Sequence, residues 1–332
     1  MKIFKTILPV VYLALNMGLL CASSMVGSFD TSFDDVWDAL TQFDASNNIH
    51  YSIIHLRIPR FLQALLTGGL LAVCGYLMQS LVNNPLADPY LLGTSGGAAL
   101  GASISRVWIT ESFILASVFF SFSGAVLSTL ITLIISYSRA GISPAKLLLA
   151  GVAMSSLTIS LMNMVIYFSS DDDALKSIVY WSFGNFEYSN WNYIIVLFSI
   201  SIICVPFYSM LNKEMNILLL GDIRAQNLGV RTTRIRWIML AGTCIMVAIT
   251  VSCSGPVGFV GLVIPHVVRA MHGVSGRYNI VHSFFTGALF LSFCDLLSRW
   301  VYKPSGLPIG IITSLAGIPF FVYLLHKNKT SI

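Results

Sequence analysis

Charge is what this chain has least of: nineteen Lys and Arg and fourteen Asp and Glu in 332 residues, a charged fraction of 10%. A soluble domain carries about a quarter charged residues, so this chain cannot dress a water-exposed surface, and its solvent is a bilayer. Cysteine is sparse and unpaired. Cys21, Cys74, Cys204, Cys244, Cys253 and Cys294 all fall within apolar runs, with no Cys-x-x-Cys pair and no metal-ligand spacing. They read as buried small hydrophobes, and neither a disulfide framework nor a metal site is expected. The Gly-x-x-x-x-Gly-Lys-Ser/Thr phosphate loop is missing, so the chain does not hydrolyse nucleotide by itself. Also missing is any His-Glu-x-x-His set among His50, His55, His266, His272, His282 and His326, which is what a membrane-embedded hydrolase would want. His266, after Pro265, reads as a hydrogen-bonded turn residue rather than a ligand. The alternating ten-residue strands of an outer-membrane barrel are absent too, because the apolar runs here are long and unbroken.

What is there is apolar: 56% hydrophobic residues and a mean hydropathy of +0.80. A spanning helix needs about 20 mostly apolar residues. Ten runs approach that length, at about 7–25, 57–82, 91–107, 113–137, 146–168, 191–211, 237–254, 259–271, 280–300 and 307–326, several of them broken by Gly or Pro. The expectation is an all-α polytopic membrane protein of about ten spans, a single transmembrane domain over 1–332 with a cytoplasmic loop at about 212–236. The first run is rather long for a signal peptide, and Leu20 stands where a lipoprotein signal would want a small residue before Cys21, so an uncleaved span is expected. The net charge of +5 is scattered singly, which does not suit nucleic acid.

Counting charges on alternate loops orients the chain. With the N-terminus cytoplasmic, thirteen basic residues fall inside and six outside, while ten acids fall outside and three inside. Both termini are then cytoplasmic. Trp37, Trp108, Trp181, Trp191 and Trp300 fall at or beyond outer ends and Trp237 at an inner one, as interfacial belts do.

Three stretches carry more than topology. Arg57-Ile58-Pro59-Arg60 opens the second span; its arginines are either snorkelling surface residues or a grip for carboxylates of an extracytoplasmic partner. Asn84-Pro85-Leu86-Ala87-Asp88-Pro89 makes a tight inner hairpin, followed by a Gly93/Gly97/Gly101 ridge that lets a neighbouring helix come close. The loop from Leu219 to Arg231 places Leu220, Arg224 and Leu228 at i, i+4, i+8, with Gly229 as helix terminator: a short amphipathic helix for the membrane surface or a partner's groove. Asp295, four residues before Arg299, is the acid deep in a late run and reads as an ion pair near a helix end rather than a proton relay.

Together with Gly75 and Gln79, Leu147-Leu148-Leu149-Ala150-Gly151, the segment from Gly255 to His266 and Leu307-Pro308-Ile309-Gly310, these motifs resemble the permease subunits of binding-protein-dependent ABC importers for iron chelates and vitamin B12, the FecCD or BtuC-like family. The match covers about residues 55 to 325. The resemblance implies a BtuC-like permease fold in the cell inner membrane that dimerises, as a homodimer by preference, around one translocation path. Two ATPase subunits holding ATP and Mg would sit beneath and a periplasmic or lipid-anchored binding protein above, with no cofactor on this chain and membrane lipid around it. Carried over by motif, Gly221, Asp222, Ile223, Arg224, Ala225, Leu228 and Gly229 form the ATPase-coupling helix, and Arg57, Arg60 and Arg299 the sockets for the binding protein. Ser143, Pro144 and Ala145 form the inner gate, and Trp181 and Gly184 belong to a short outer helix beside the path. The resemblance makes the chain a transporter subunit for an iron chelate (siderophore or haem) or cobalamin, not an enzyme. Two departures stand out: Gly306 occupies the position before Leu307-Pro308 where many members have Glu, and Asp171-Asp172-Asp173 lies outside the motif set, in a solvated loop or facing the binding protein. A proton-coupled secondary transporter and an intramembrane enzyme are the alternatives from other classes. Collapse of uptake with an uncoupler rather than with ATP depletion would mark the first, and a bond-breaking activity lost on Ala substitution of His266 and Asp295 the second.

Overall fold

The structure is a computed structural model describing residues 2–27, 29–109, 113–138, 141–169, 172–274, 276, 278–303 and 306–328. The ten apolar runs each form a helix: α1 (Lys2–Met25), then, after two short helices α2 (Phe33–Thr41) and α3 (Asn48–Ser52), α4 (Ile58–Val82), α5 (Thr94–Trp108), α6 (Phe113–Ser136) and α7 (Pro144–Tyr167). Past α8 (Asp172–Ser182) come α9 (Trp191–Met210), the short pair α10 (Asn212–Leu218) and α11 (Asp222–Asn227), and then α12 (Thr232–Ser254), α13 (Val260–His272), α14 (Asn279–Val301) and α15 (Ile309–Asn328). Strand structure is confined, among the described residues, to a two-residue ladder pairing Tyr137 with Ile142 and Ser138 with Gly141. The protein is therefore an all-α, multi-pass membrane protein.

Six of these helices are long and apolar enough to cross a bilayer, and shorter apolar stretches lie at Val10–Met25 in α1, Val260–His272 in α13 and Ile309–Val322 in α15. The expectation of ten spans is thus met as ten helices but only roughly as full spans. Thirteen residues of α13 rise about 20 Å at 1.5 Å each, short of a hydrocarbon core of about 30 Å. Its N-terminal side is the non-helical stretch after Gly255, which the bundle shields from lipid.

The axis of the bundle is α4, whose helical continuity with α3 through a π turn at Ile53–Arg57 makes one 35-residue span. Nearly every α4 side chain is buried, against α14, α12, α13 and α9. Glycine makes this possible. A Cβ on Gly68 would collide with the Gly287 carbonyl of α14, and one on Gly75 with the backbone of Gly261 in α13. Between helices in lipid, where no hydrophobic effect drives association, such close backbone packing is the main attraction available. The expected glycine ridge divides in two: Gly97 and Gly101 lie against the backbone of α6, whereas Gly93, at φ +75°, caps the start of α5.

Replacing Gly75 by Leu must push α4 off α13, at a cost on the order of 3 kcal/mol. The expected result is a markedly lower midpoint of thermal unfolding in detergent; an unchanged midpoint would refute the packing argument.

Candidate functional site

Two surfaces and one junction gather the residues singled out in the sequence. On the face assigned to the cytoplasm, α10 buries Asn212, Met215 and Leu218, and the chain then turns at Gly221, φ +92°. The helix that follows, α11, is only six residues long, so Leu220 and Leu228 flank it rather than belong to it, and the i, i+4, i+8 face is a shape made by turn, helix and turn. Ala225 is the inward anchor, fully buried; Leu220, Ile223 and Leu228 all stand exposed, Ile223 at 78%. Arg224 is exposed beside them. Gly229, at φ +82°, ends the helix as expected, and the next amide, Val230 N, donates to the Ala225 carbonyl at 3.0 Å. Both glycines have open space around them, so it is the backbone angle that requires them. Asp222 does not point free: its Oδ1 accepts from Arg236 Nη2 at 2.8 Å, bracing α11 to α12.

At the opposite rim the arginines of the second span and of α14 come together with Asp295. Arg60 Nε meets Asp295 Oδ1 at 2.9 Å, and Arg299 Nη2 lies 3.1 Å from Oδ2. The i, i+4 ion pair read from the sequence is there, and Arg60 is the second cation that the sequence did not reveal. Arg57 and Arg299 differ from the expectation of open sockets: each is only 4% exposed. Arg57 donates to the carbonyls of Ser24, at 2.8 Å, and Phe29, at 2.7 Å, and to Thr31 Oγ1, at 2.9 Å. Arg299 donates to the carbonyls of Ser23 and Val26, both at 2.9 Å, and to Ser23 Oγ. The reason is a segment passed over in the sequence, 23–31, which crosses the cluster and offers backbone carbonyls that no α1 hydrogen bond uses. Arg60, 15% exposed, is the member with access to the outside. Gly306 stands beside Arg60 at φ +78°, a conformation in which a Glu would be strained.

The junction joins α8, α12 and α15. Gly184, buried at φ +76°, follows Trp181; Gly184 N donates to the Trp181 carbonyl at 3.0 Å and Ile309 N to the Gly184 carbonyl at 3.2 Å. Asn185 N reaches the Ser254 carbonyl at 2.8 Å. At the other end of the bundle, Ser143 is half-buried and precedes α7, whose first residue is Pro144; Leu147 N donates to the Ser143 carbonyl at 2.9 Å, and Ala145 is exposed. Asp171 lies outside the described residues, and Asp173 is exposed with Lys176 at 3.4 Å, a solvated pair. In the hairpin after α4, Asp88 Oδ1 accepts from Tyr90 N at 2.8 Å, and loss of water pushes its carboxyl up to about 6 against that hydrogen bond. Another feature without a sequence signal is Arg269, whose guanidinium binds Gln79 Oε1 and lies 4.7 Å over the Tyr76 ring, tying α13 to α4.

The model of the FecCD transport family matches residues 14–327. The chain belongs to that family. It is 33% identical to the Fe(3+)-citrate import system permease protein YfmD of Bacillus subtilis, over 99% of this chain and 96% of that one. It is 36% identical to the vitamin B12 import system permease protein BtuC of Citrobacter koseri, over 82% of each. Its fold matches a solved chain of a metal-chelate type ABC transporter in an inward-facing conformation, at a TM-score of 0.81 and 27% identity, covering 96% of this chain and 98% of that one. Family and relatives are transporter permeases, and this FecCD chain is a permease of ABC importers rather than an enzyme. That class of importer implies an ATPase and a solute-binding protein as partners.

Removing the acid at the centre of the outer cluster leaves two guanidinium groups without a counter-charge, which for a buried pair costs about 3–5 kcal/mol. Asp295→Ala is therefore expected to lower thermal stability strongly and to open the 23–31 segment to protease. Asp295→Ala with native stability and an unchanged cleavage pattern would show that the cluster does not hold that segment.

Proposed function

We propose that this chain carries an iron chelate across the cell inner membrane, received from a periplasmic or lipid-anchored binding protein and driven by a pair of ATPase subunits that bind the nucleotide and Mg. In this reading the chain is one permease domain throughout, with 212–236 as its cytoplasmic coupling segment, and both termini are cytoplasmic. The observation that carries it is the α11 surface. Three large apolar side chains, Leu220, Ile223 and Leu228, are held exposed on a short helix whose two ends are set by glycines and whose back is braced by Asp222 and Arg236. Exposed apolar groups on a rigid mount suit a partner's groove better than water. A chain with no phosphate loop must take its energy through such a contact.

At the other rim, Arg60 is the contact for carboxylates on the binding protein, and Arg57 and Arg299 act through their hold on the 23–31 segment beside it. Between the two ends, α7 spends Ser156, Ser160 and Asn163 on an exposed face of a span. Exposed polar groups on a span suit water or a second copy better than lipid, so this stripe is assigned to the path in a homodimer. The gate at Ser143, Pro144 and Ala145 closes that path on the inside, and Trp181 and Gly184 border it outside. Iron is preferred for the solute because YfmD, similar over almost the whole of both chains, is a Fe(3+)-citrate permease.

Ile223→Asp in the reconstituted complex is expected to cut ATP-driven uptake at least tenfold with the permease still folded; uptake at the wild-type rate would refute the coupling assignment. Uptake should fail on ATP depletion and persist with an uncoupler. Binding of ferric citrate or a siderophore to the partner binding protein supports the iron reading, and binding of cobalamin alone overturns it.

A further inference from the structure

Between α1 and the long span formed by α3 and α4 lies a surface that transport leaves unused. The helix α2 follows the 23–31 segment on the rim that carries Arg60, and its buried side chains, Val36 and Ala39, pack with Met25 at the end of α1 and with Ile53 of the π turn. That contact fixes its height. Lys5 is the last charge before the apolar run of α1, and from Lys5 to Met25 the helix rises about 30 Å, the thickness of a hydrocarbon core of about 30 Å. Met25, and α2 packed on it, therefore lie where acyl chains give way to headgroups.

The start of α2 is locked by a capping box: Asp35 N donates to Ser32 Oγ at 3.1 Å, and Ser32 N to Asp35 Oδ2 at 2.7 Å. From there the side chains divide into three sectors. Val36 and Ala39 face the protein. Phe33, Trp37 and Leu40, at i, i+4 and i+7, form a second apolar stripe about a quarter-turn away, and they stand 54%, 58% and 57% exposed. Asp34, Asp38 and Thr41 take the third sector, exposed beyond that stripe. A helix between a protein core and water needs one apolar face and one polar face. A second apolar face, exposed and as large as the first, calls for a third environment.

Two aromatic side chains flank α2 in the chain. Phe29 is exposed, with the Arg57 guanidinium 4.6 Å over its ring. Phe43, also exposed, meets the ring of His55 edge-on at 5.9 Å, and the next residue, Leu56, stands exposed at the entry of the long span. The apolar surface thus reaches from α2 to the span itself.

We infer that α2 lies in the plane of the bilayer surface, with Phe33, Trp37 and Leu40 inserted among the glycerol groups and upper acyl chains of the leaflet on the Arg60 side and with Asp34 and Asp38 turned to water. The indole of Trp37, apolar in body and polar at its N–H, suits that depth. A free amphipathic peptide finds a membrane through Lys and Arg on its polar face. α2 has neither, and it needs none because α1 and the α3–α4 span tether it to the surface. The other protein at this rim is the solute-binding protein, and charge disfavours it as the occupant. Under the proposed function its docking face presents carboxylates to Arg60, and Asp34 and Asp38 would repel them. With α2 anchored in lipid, the 23–31 segment is held at both ends over Arg57 and Arg299.

The full-length permease in liposomes of phosphatidylcholine brominated on the acyl chains, about 5–10 Å below the headgroup boundary, tests this placement. Trp37 is one of six tryptophans, so its emission is taken as the difference between the wild-type protein and Trp37→Phe, both checked for native elution. That difference should fall at least twofold on going from plain to brominated lipid. The double variant Phe33→Asp with Leu40→Asp, which changes only exposed side chains, should lose at least half of this quenching; if it fails to elute natively, the wild-type measurement decides alone. A fall of less than twofold in the wild-type protein, or undiminished quenching in a natively eluting double variant, overturns the proposal. In the first case iodide in the water identifies what replaces it: quenching by iodide puts the stripe in solvent, and protection from iodide puts it against a second copy of the chain.

Discussion

Everything in this bundle is arranged around a helix that meets protein on nearly all sides. With its side chains spent on neighbours, α4 cannot contribute to a lipid-facing surface, and its position is set by how near those neighbours come. In lipid the gain from bringing two helices together is dispersion and weak polar contact, both of which fall steeply with distance. The pairs Gly68 with Gly287 and Gly75 with Gly261 bring backbones into contact at two heights along α4, one with α14 and one with α13. Those two helices in turn carry Asp295 and Arg299 at one end and Arg269 at the other. The buried charges are thus placed by glycine packing, and the ion pairs then lock what the packing brings near.

The cluster around Asp295 shows how a membrane protein keeps two guanidinium groups and one carboxylate out of water without prohibitive cost, with a third guanidinium, that of Arg60, at its edge. One acid is shared by two cations, and most of the other donors of Arg57 and Arg299 are taken up by carbonyls at the end of α1 and just beyond it and by the Thr31 and Ser23 hydroxyls. Such carbonyls lack helical partners in any case, so each hydrogen bond satisfies two groups that would otherwise be desolvated and unpaired. A second consequence is that the first helix is tied to the second span and to α14 by bonds that ordinary side-chain patterning does not record.

Much of this was legible in the sequence, for a physical reason. Apolar length, turn glycines and charge asymmetry are local properties, so the ten helices, the Gly229 terminator and the pairing of Asp295 with Arg299 could be read from neighbours a few residues apart. What could not be read depends on chain segments far apart. The seat of Arg57 is made by residues 23–31, and the partner of Arg60 is 235 positions away. The six-residue α11 is shorter than the spacing of Leu220, Arg224 and Leu228 suggests, whereas the run at 259–271 matches α13, Val260–His272. An apolar run states how much of a segment avoids water but not whether the backbone at its edge is helical. The residues from Gly255 to Phe259 are as apolar as a span, yet Gly255 at φ +68° and Phe259 at φ +67° take them out of the helix.

The element that links the two candidate surfaces is α12. At its start, Arg236 holds Asp222 of α11; at its end, the Ser254 carbonyl receives the Asn185 amide, and Gly255 lies so near the Trp181 carbonyl that a Cβ would not fit. In between, no Gly-Pro break interrupts its twenty-three residues, and it packs on both α4 and α6. A straight helix held by a salt bridge at one end and by backbone contacts at the other transmits displacement as a rigid body rather than absorbing it. Under the proposed coupling, a shift of α11 would therefore reach Trp181 and Gly184 through one uninterrupted helix. Ile245 and Ala241 stand exposed on α12, so that part of its surface is not held by side-chain packing among the described residues.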